Sequence, residues 1–195
     1  ILLPMRNLVL FPGMASPVTI GRAQSVAAAQ AAVHHDQKVG LLLQRDADMS
    51  EVRADDLHWV GTGGRILRYV ASPGGAHHLV VQGERRFRVL EFLEGWPFMV
   101  ARVSFIEDSD DGGAEIEARL LQLKHLAGEA IALLPNTPDD LLGVVQGMTS
   151  AAALADMIAS FLEIQNEEKQ AILESFDLAT RLDRVLGALN ARLEV

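Results

Sequence analysis

The chain has 195 residues, contains no cysteine and carries a formal net charge of −9, with 49% apolar and 22% charged residues. This composition can bury a core and is not that of a disordered chain, and the lack of cysteine excludes disulfides and thiolate metal sites. No apolar run approaches the roughly 20 residues that span a bilayer. The first residues, Ile1 to Arg6, lack the order of a signal peptide, and because methionine does not come first we expect a part of a longer protein.

The charge is distributed unevenly and predicts two subdomains. Residues 1–105 contain 11 Lys and Arg and 9 Asp and Glu, whereas residues 106–195 contain 6 and 17. Most aromatic residues also lie in the first part, and such a coincident change is typical of a domain boundary. We therefore predict a first subdomain over 1–106, a solvated acidic linker over 107–113 and a second subdomain over 114–195.

Short apolar runs separated by turn residues predict that the first part is rich in β-strands. One helix interrupts them, from Val26 to about His35, with Ser25 as its N-cap. Ser72-Pro73-Gly74-Gly75 supplies the turn of a hairpin. Many short strands favour a barrel or a sandwich. The predicted strands are 8–11, 17–20, 39–43, 60–69, 77–82, 87–94 and 98–106.

The second part is predicted to be helical. Apolar residues recur at helical spacing from Ala114 to Leu134, and Pro135 ends that helix. The last helix repeats leucine at heptad spacing, so we expect it to continue into the rest of the protein. The predicted N-caps are Thr137, Ser150, Asn166 and Asp177.

The sequence contains no recognisable catalytic motif. The P-loop G-x-x-x-x-G-K-[ST] is absent, as are G-x-S-x-G and S-x-x-K, so we expect no catalytic residue and no cofactor site. A strand rather than a helix follows Gly61–Gly64, which predicts a turn or bulge instead of a phosphate cradle. His34-His35 and His77-His78 lack metal-binding spacing, so we expect surface histidines and no metal site.

Arg85, Arg86 and Arg88 form the basic cluster of the sequence. Nucleic-acid binding needs a broad basic field with stacking aromatic residues, and a net charge of −9 repels phosphate. Ion pairs to Glu84, to Glu91 or to the acidic second part are the expected role of these arginines.

The aromatic residues of the first part have two interpretations. Most of them should fill the core of a small barrel. The alternative is an exposed apolar surface that holds unfolded polypeptide, because turns and strand ends are exposed more often than barrel interiors. Tyr69 ends a hairpin arm, and Trp96-Pro97-Phe98-Met99 lies between two predicted strands. Tyr69, Trp96, Phe98 and Met99 are therefore the candidate contact residues, and the sequence alone leaves open which rings face outward.

An ordered series of motifs resembles the N-terminal domain of Lon proteases. The opening, LPMRNLVLFPGM over residues 3–14 followed by PVTIGR over 17–22, resembles the start of that domain. Later matches cover residues 39–46, 55–62, 81–89, 155–159, 168–174 and 181–195, so the resemblance extends over essentially the whole chain. Gly63-Gly64 departs from the family pattern, which usually has a β-branched or small apolar residue there.

The resemblance implies an α+β fold, in which a PUA-like β-barrel precedes an α-helical bundle. It implies a non-catalytic domain of a cytoplasmic, homohexameric, ATP-dependent serine protease. This domain would bind misfolded or regulatory proteins and support ring assembly, with no nucleic-acid or membrane partner. ATP, Mg²⁺ and a Ser-Lys dyad would belong to other parts of that protein. Two alternatives stay open: a stand-alone protein-binding module of the same fold, and a PUA-type RNA-binding module, which the acidity disfavours.

Overall fold

The computed structural model describes residues 1–49, 52–107, 113–133 and 140–194, which fall into two units, 1–107 and 108–195. Most of the predicted acidic linker lies outside the described residues, so its solvated character stays a prediction. The predicted N-cap at Thr137 also lies outside them.

Six strands and one long helix build the first unit. The strands form one mixed sheet in the order β1-β3-β4-β5-β2, and β6 also pairs with β5. β1 and β3 are parallel, and the other pairs are antiparallel. The elements are β1 (Leu2–Met5), β2 (Ala15–Ile20), α1 (Ala23–His34), β3 (Val39–Leu43), a 3-10 turn (Ala54–Asp56), β4 (Val60–Ala71), β5 (His77–Leu93) and β6 (Val100–Ile106).

The long strand β5 organises this sheet. Its first half lies between β4 and β2, and its second half lies between β4 and β6. The Leu2 N–H donates to the Met99 carbonyl at 2.9 Å, which links β1 to the residue directly before β6. This bond brings the first strand of the chain close to the last one. The PUA-like β-barrel stays a prediction.

Two apolar clusters fill the first unit. In the main cluster, the small side chains of Ala28, Ala29 and Ala32 let α1 lie close against the sheet. Its other members are Leu3, Met5, Leu10, Val18, Ile20, Val39, Leu41, Leu79 and Val81. The minor cluster contains Leu2, Leu42, Leu57, Phe87 and Val89.

Two local predictions for this unit were wrong. The run Leu8–Phe11 is irregular rather than a strand, although Val9, Leu10 and Phe11 are buried. Its backbone is satisfied partly by the Thr62 hydroxyl, which donates to the Leu10 carbonyl at 2.6 Å. Ser25 is not an N-cap, because α1 begins at Ala23 with Arg22 as its N-cap, so Ser25 falls inside the first turn.

Two β-bulges with exposed leucines interrupt the side-chain alternation of β4 and β5. Ile66 pairs with Val81 and Arg68 with Val80, which leaves Leu67 as the extra residue of β4. In β5, Leu90 is the extra residue between Val89 and Glu91. The exposed fractions of Leu67 and Leu90 are 58% and 49%. Because a bulge shifts the side-chain alternation by one residue, the regular alternation predicted through Glu94 ends at Leu90.

The second unit contains five helices within its described residues. Ser150 and Asp177 cap α4 and α6 as predicted, accepting hydrogen bonds from the backbone N–H groups of Ala153 and Thr180. The N-cap of α5 is Gln165, one residue before the predicted Asn166. The helices are α2 (Ala114–Leu133), α3 (Leu141–Gly147), α4 (Ala151–Phe161), α5 (Asn166–Leu173) and α6 (Leu178–Leu193).

The heptad leucines of α6 supply much of the core of this unit. Leu182, Leu186 and Leu189 are buried, and Leu193 is half-buried. α2 and α4 both pack against α6. In the described part of the chain, none of the helices combines the length and apolar character needed to cross a membrane.

Candidate functional site

Trp96 and Phe98 form an aromatic pair in the loop between β5 and β6. Gly95, at a φ of 96°, reverses the chain there, a conformation that favours glycine. The Trp96 side chain is 59% exposed. Phe98 is half-buried against the main cluster, and its ring centroid lies 6.2 Å from that of Trp96. The half-buried Phe98 ring therefore lies directly beside the exposed Trp96 ring.

Tyr69 lies near the end of the β4–β5 hairpin. Its ring is half-buried against the main cluster, and its hydroxyl forms a hydrogen bond with the Nδ1 atom of His77. The two ring centroids are 5.5 Å apart. Tyr69 thus has an apolar body turned to the core and a polar end already bonded within the protein.

Met99 follows Phe98 but packs elsewhere. Its side chain is half-buried against the minor cluster, whereas Phe98 contacts the main cluster. Of the four candidate residues, the structure brings Trp96 and Phe98 into ring contact, and it gives Tyr69 the ring contact with His77. Tyr69, Phe98 and Met99 each combine a packing role with partial exposure.

Other exposed apolar side chains lie on β4, β5 and β6. Two of them, Leu67 and Leu90, are the extra residues of the β-bulges. A bulge depends on the pairing register of two strands, so hydropathy along a single strand gave no signal for it. The residues are Leu67, Val70, Leu90, Leu93 and Phe105, each at least 38% exposed.

The arginine cluster does not form a basic field. Arg85 pairs with Glu107 at 3.1 Å, and its guanidinium carbon lies 4.5 Å above the Phe105 ring. Arg86 is 1% exposed and Arg88 is exposed. The expected acidic partners Glu84 and Glu91 instead pair with Lys38 and Arg102. Each arginine of the cluster therefore has a different environment.

The histidine and glycine motifs have local structural roles. His78 forms a 3.1 Å hydrogen bond with the hydroxyl of Thr19, which lies opposite it on β2. Within the described ranges, no three His, Asp or Glu side chains form a group that could hold a metal ion. Gly61–Gly64 lies inside β4, where the pairing with β5 shifts register between Gly63 and Gly64. The extra residue at this shift is Glu84 of β5, so the glycine run itself is part of a strand rather than a turn.

A mixed sheet followed by a helical unit defines an α+β fold. The family model described as "ATP-dependent protease La (LON) substrate-binding domain" matches residues 1–191. The chain belongs to this family, which confirms the resemblance read from the sequence.

Relatives and solved structures agree with this assignment. The chain is 46% identical to a Lon protease of Paraburkholderia phytofirmans and 44% identical to one of Phenylobacterium zucineum. All of the chain is matched, but it spans only 24% and 25% of the length of those two proteins. It is therefore similar to about a quarter of a Lon protease.

Two solved structures show the same α+β fold. The N-terminal domain of a Mycobacterium avium complex Lon protease superimposes with a TM-score of 0.78 at 22% identity, covering 97% of this chain and 96% of that one. A Lon N-terminal domain protein from Xanthomonas campestris gives a TM-score of 0.66 at 21% identity, covering 95% of both chains. At these identities the likeness concerns the fold alone.

Proposed function

We propose that the first unit binds misfolded or regulatory proteins through exposed apolar surface, and that Tyr69, Trp96, Phe98 and Met99 contribute to it. The exposure of Trp96 beside the anchored Phe98 is the observation that carries the proposal. A large ring held by its neighbour loses little side-chain freedom on binding, and aromatic anchors of this kind dominate many protein interfaces. Membership of a substrate-binding domain family supports the same role.

Binding to a single copy of this surface would be weak. Apolar contacts of a few exposed side chains, without a deep pocket, favour reversible capture of varied sequences. In a homohexameric parent protein, several copies would hold one polypeptide at once, and avidity would compensate for the weak single contact. The domain would also support assembly of that ring.

The parent protein in this proposal is a cytoplasmic, ATP-dependent serine protease with a Ser-Lys dyad. We infer that its ATP and Mg²⁺ site lies in another part of that protein, because this sequence lacks a P-loop lysine motif. Substrate capture would therefore be the contribution of this chain, and chemistry that of other parts of the protein.

A titration with an unfolded protein tests the proposal. Fluorescently labelled, permanently unfolded casein should bind the chain, and Trp96→Ala should weaken binding by about tenfold, as expected for an aromatic hot spot. Phe161→Ala is the matched control, because Phe161 is an aromatic residue of the helical unit with 67% exposure. Binding should persist at high salt, since apolar contacts are not screened.

Two results would contradict the proposal. Equal binding by wild type, Trp96→Ala and Phe161→Ala would remove Trp96 from the contact surface. Binding that disappears at 0.5–1 M salt, where screening lengths fall to roughly 3–4 Å, would assign it to charged side chains instead.

A further inference from the structure

A groove of about 500 Å³ lies in the first unit, between residues 4–8 and residues 17–25. This volume is in the range of sites that hold small ligands or a few side chains. The buried side chains of Met5, Val18 and Ile20 are among the apolar residues that line it. None of the four aromatic and apolar candidates described above lines this groove. It is a separate feature of the unit.

The charge of the groove is opposite to that of the chain. Arg6 and Arg22 line it, and no Asp or Glu among the described residues does, although the chain carries a net charge of −9. Burial lowers the pKa of Arg22, and the positive charge of Arg6 lowers it further. The two guanidinium groups are therefore close enough to repel each other electrostatically. Arginine side chains carry a positive charge at neutral pH. Two like charges held at one groove favour an anionic ligand.

The two arginines differ in how they are held. Arg22 is half-buried and donates to the Gln44 side chain and to the Met49 carbonyl. Arg6 is exposed, and within the described part of the chain it has neither a hydrogen-bond partner nor an ion pair. Arg22 is therefore a fixed charge, whereas Arg6 is free to move toward a ligand.

A serine hydroxyl adds a polar group to the same groove. Ser25 lines the groove, and its side chain has no hydrogen-bond partner among the described residues. Although the residue is 5% exposed, its Oγ atom is not among the fully buried atoms that lack a partner. The Ser25 hydroxyl is therefore accessible for a hydrogen bond to a ligand in the groove.

One wall of the groove is an unpaired strand edge. β2 stands at the end of the strand order, with β5 as its one partner strand among the described residues. The Met14 carbonyl accepts from the Gly83 N–H at 2.7 Å, so alternate residues from Met14 onward face β5. Pro17 and Thr19 therefore face the free edge. At this edge the backbone of Pro17 has a carbonyl but no N–H, whereas the backbone of Thr19 has both an N–H and a carbonyl.

We propose that this groove binds a short extended segment of polypeptide that carries acidic side chains. The carboxylates contact Arg6 and Arg22, the apolar side chains that alternate with them lie on the opposite face of the segment, and the segment backbone pairs with Thr19 as an added strand. Charge complementarity and the free strand edge select this occupant. The inference rests on the proposed function in one respect, that the domain holds polypeptides, and it adds a preference for acidic sequences.

The test uses two peptides that differ only in charge. Both are acetylated and amidated, with the sequences Val-Asp-Val-Asp-Val and Val-Asn-Val-Asn-Val, and each is titrated into the full chain by calorimetry at low salt. We expect the Asp peptide to bind at least about fivefold more tightly, an advantage typical of the stronger exposed ion pairs. The advantage should shrink at high salt. Equal affinity of the two peptides would overturn the proposal.

Two variants with matched controls locate the binding. Arg6→Gln should reduce the Asp advantage, with Arg22 accounting for the remainder, whereas Arg68→Gln, which removes an exposed charge of β4 outside the groove, should preserve it. Thr19→Pro should weaken both peptides by removing the edge N–H, and Thr19→Val should not, because it removes only the hydroxyl. If Arg6→Gln and Arg68→Gln lose the same share of the Asp advantage, the preference comes from the overall charge of the protein. That result would overturn the proposal.

Two further arms separate this proposal from its alternatives. A peptide without Asp but with a free C-terminal carboxylate should bind Arg6 less tightly than the Asp peptide. The reverse order would make a chain terminus the ligand and overturn the acidic-segment proposal. Unfolded casein tests the proposed function separately. If the groove proposal fails, casein binding that depends on Trp96 and not on Arg6 still supports the proposed function.

Discussion

Arg119 on α2 and Asp183 on α6 form a two-pronged ion pair that joins two helices of the second unit. The Nε and Nη2 atoms of Arg119 lie 2.8 and 3.3 Å from the two carboxylate oxygens of Asp183. The hydrogen bonds from Arg119 and its positive charge lower the pKa of Asp183. Paired hydrogen bonds fix the geometry of both groups, so this pair sets how α2 lies against α6 more firmly than a single exposed contact would.

The first prediction concerns the coupling between these two residues. Arg119→Gln and Asp183→Asn should each lower the unfolding temperature slightly, and the double variant should lose less than the sum of the two. The reason is that either single change already removes the interaction. A double-mutant cycle in chemical denaturation measures this coupling, and it should weaken with added salt. Strictly additive losses would show that the pair contributes nothing as a pair.

The second prediction is a loss of stability in acid. Hydrogen bonds from the Thr180 hydroxyl and N–H lower the pKa of Asp177, as Arg119 lowers that of Asp183. A carboxyl whose pKa is lower in the folded state stabilises it above its unfolded pKa of about 3.9. That contribution is lost as the pH falls from there through the folded pKa. The free energy of unfolding should therefore decrease in this acidic window, and less so in an Asp177→Asn, Asp183→Asn double variant.

The double variant also provides the control for the acid prediction. At neutral pH it should be less stable than wild type, because the charged hydrogen-bonded forms are missing there. The two proteins should converge as the pH falls below both folded pKa values. Urea denaturation at several pH values measures this, and a constant difference between them at every pH would exclude these carboxyls as its source.

The third prediction separates the exposed ring from the buried one. Trp96→Ala should change the unfolding free energy little, because most of the Trp96 side chain is already exposed. Phe87→Ala should cost about 3–5 kcal/mol, since Phe87 is 1% exposed in the minor cluster. Phe98→Ala should fall between the two. A large loss of unfolding free energy in Trp96→Ala would show that Trp96 has a structural role. It would then no longer support the proposed binding surface.

The fourth prediction concerns the boundary between the two units. The charge and composition of residues 107–113 predict a solvated linker, so limited proteolysis should cut first within 107–114. The products should be two resistant fragments that match the units 1–107 and 108–195. Mass spectrometry identifies the first cut, and initial cleavage inside the β4–β5 hairpin would show that the boundary was misplaced.

Local signals made some of these elements predictable. Ser150 and Asp177 were identified as caps because an N-cap interaction involves residues only two or three positions apart. The buried strand Val39–Leu43 was found for a similar reason, since all five of its residues are apolar or glycine and all five are buried. Information within a few residues of sequence decides such features.

Features that depend on distant pairing were not predictable. The bulge at Leu67 exists because β4 meets a particular register of β5, and the irregular run Leu8–Phe11 is satisfied by Thr62, more than fifty positions away. The same limit applies to the candidate surface. The turn position of Trp96 was visible in the sequence, but the groove of Arg6 and Arg22 joins residues from two separate segments and gave no local signal.

The last prediction tests the close contact between β4 and β5 at Gly64. A Cβ atom added at Gly64 would lie 2.2 Å from the Gln82 carbonyl oxygen, far inside van der Waals contact. The obstacle is backbone, so Gly64→Ala forces the paired strands apart at their register shift and should cost about 1–3 kcal/mol or more. Gly143→Ala in α3 is the control, because nothing lies within 4 Å of its added Cβ and alanine is the better helix former by up to about 1 kcal/mol. Urea denaturation should therefore place Gly64→Ala below and Gly143→Ala at or above wild type. Equal stability of Gly64→Ala and Gly143→Ala would contradict this prediction. It would show that β4 and β5 can move apart at Gly64 without a loss of stability.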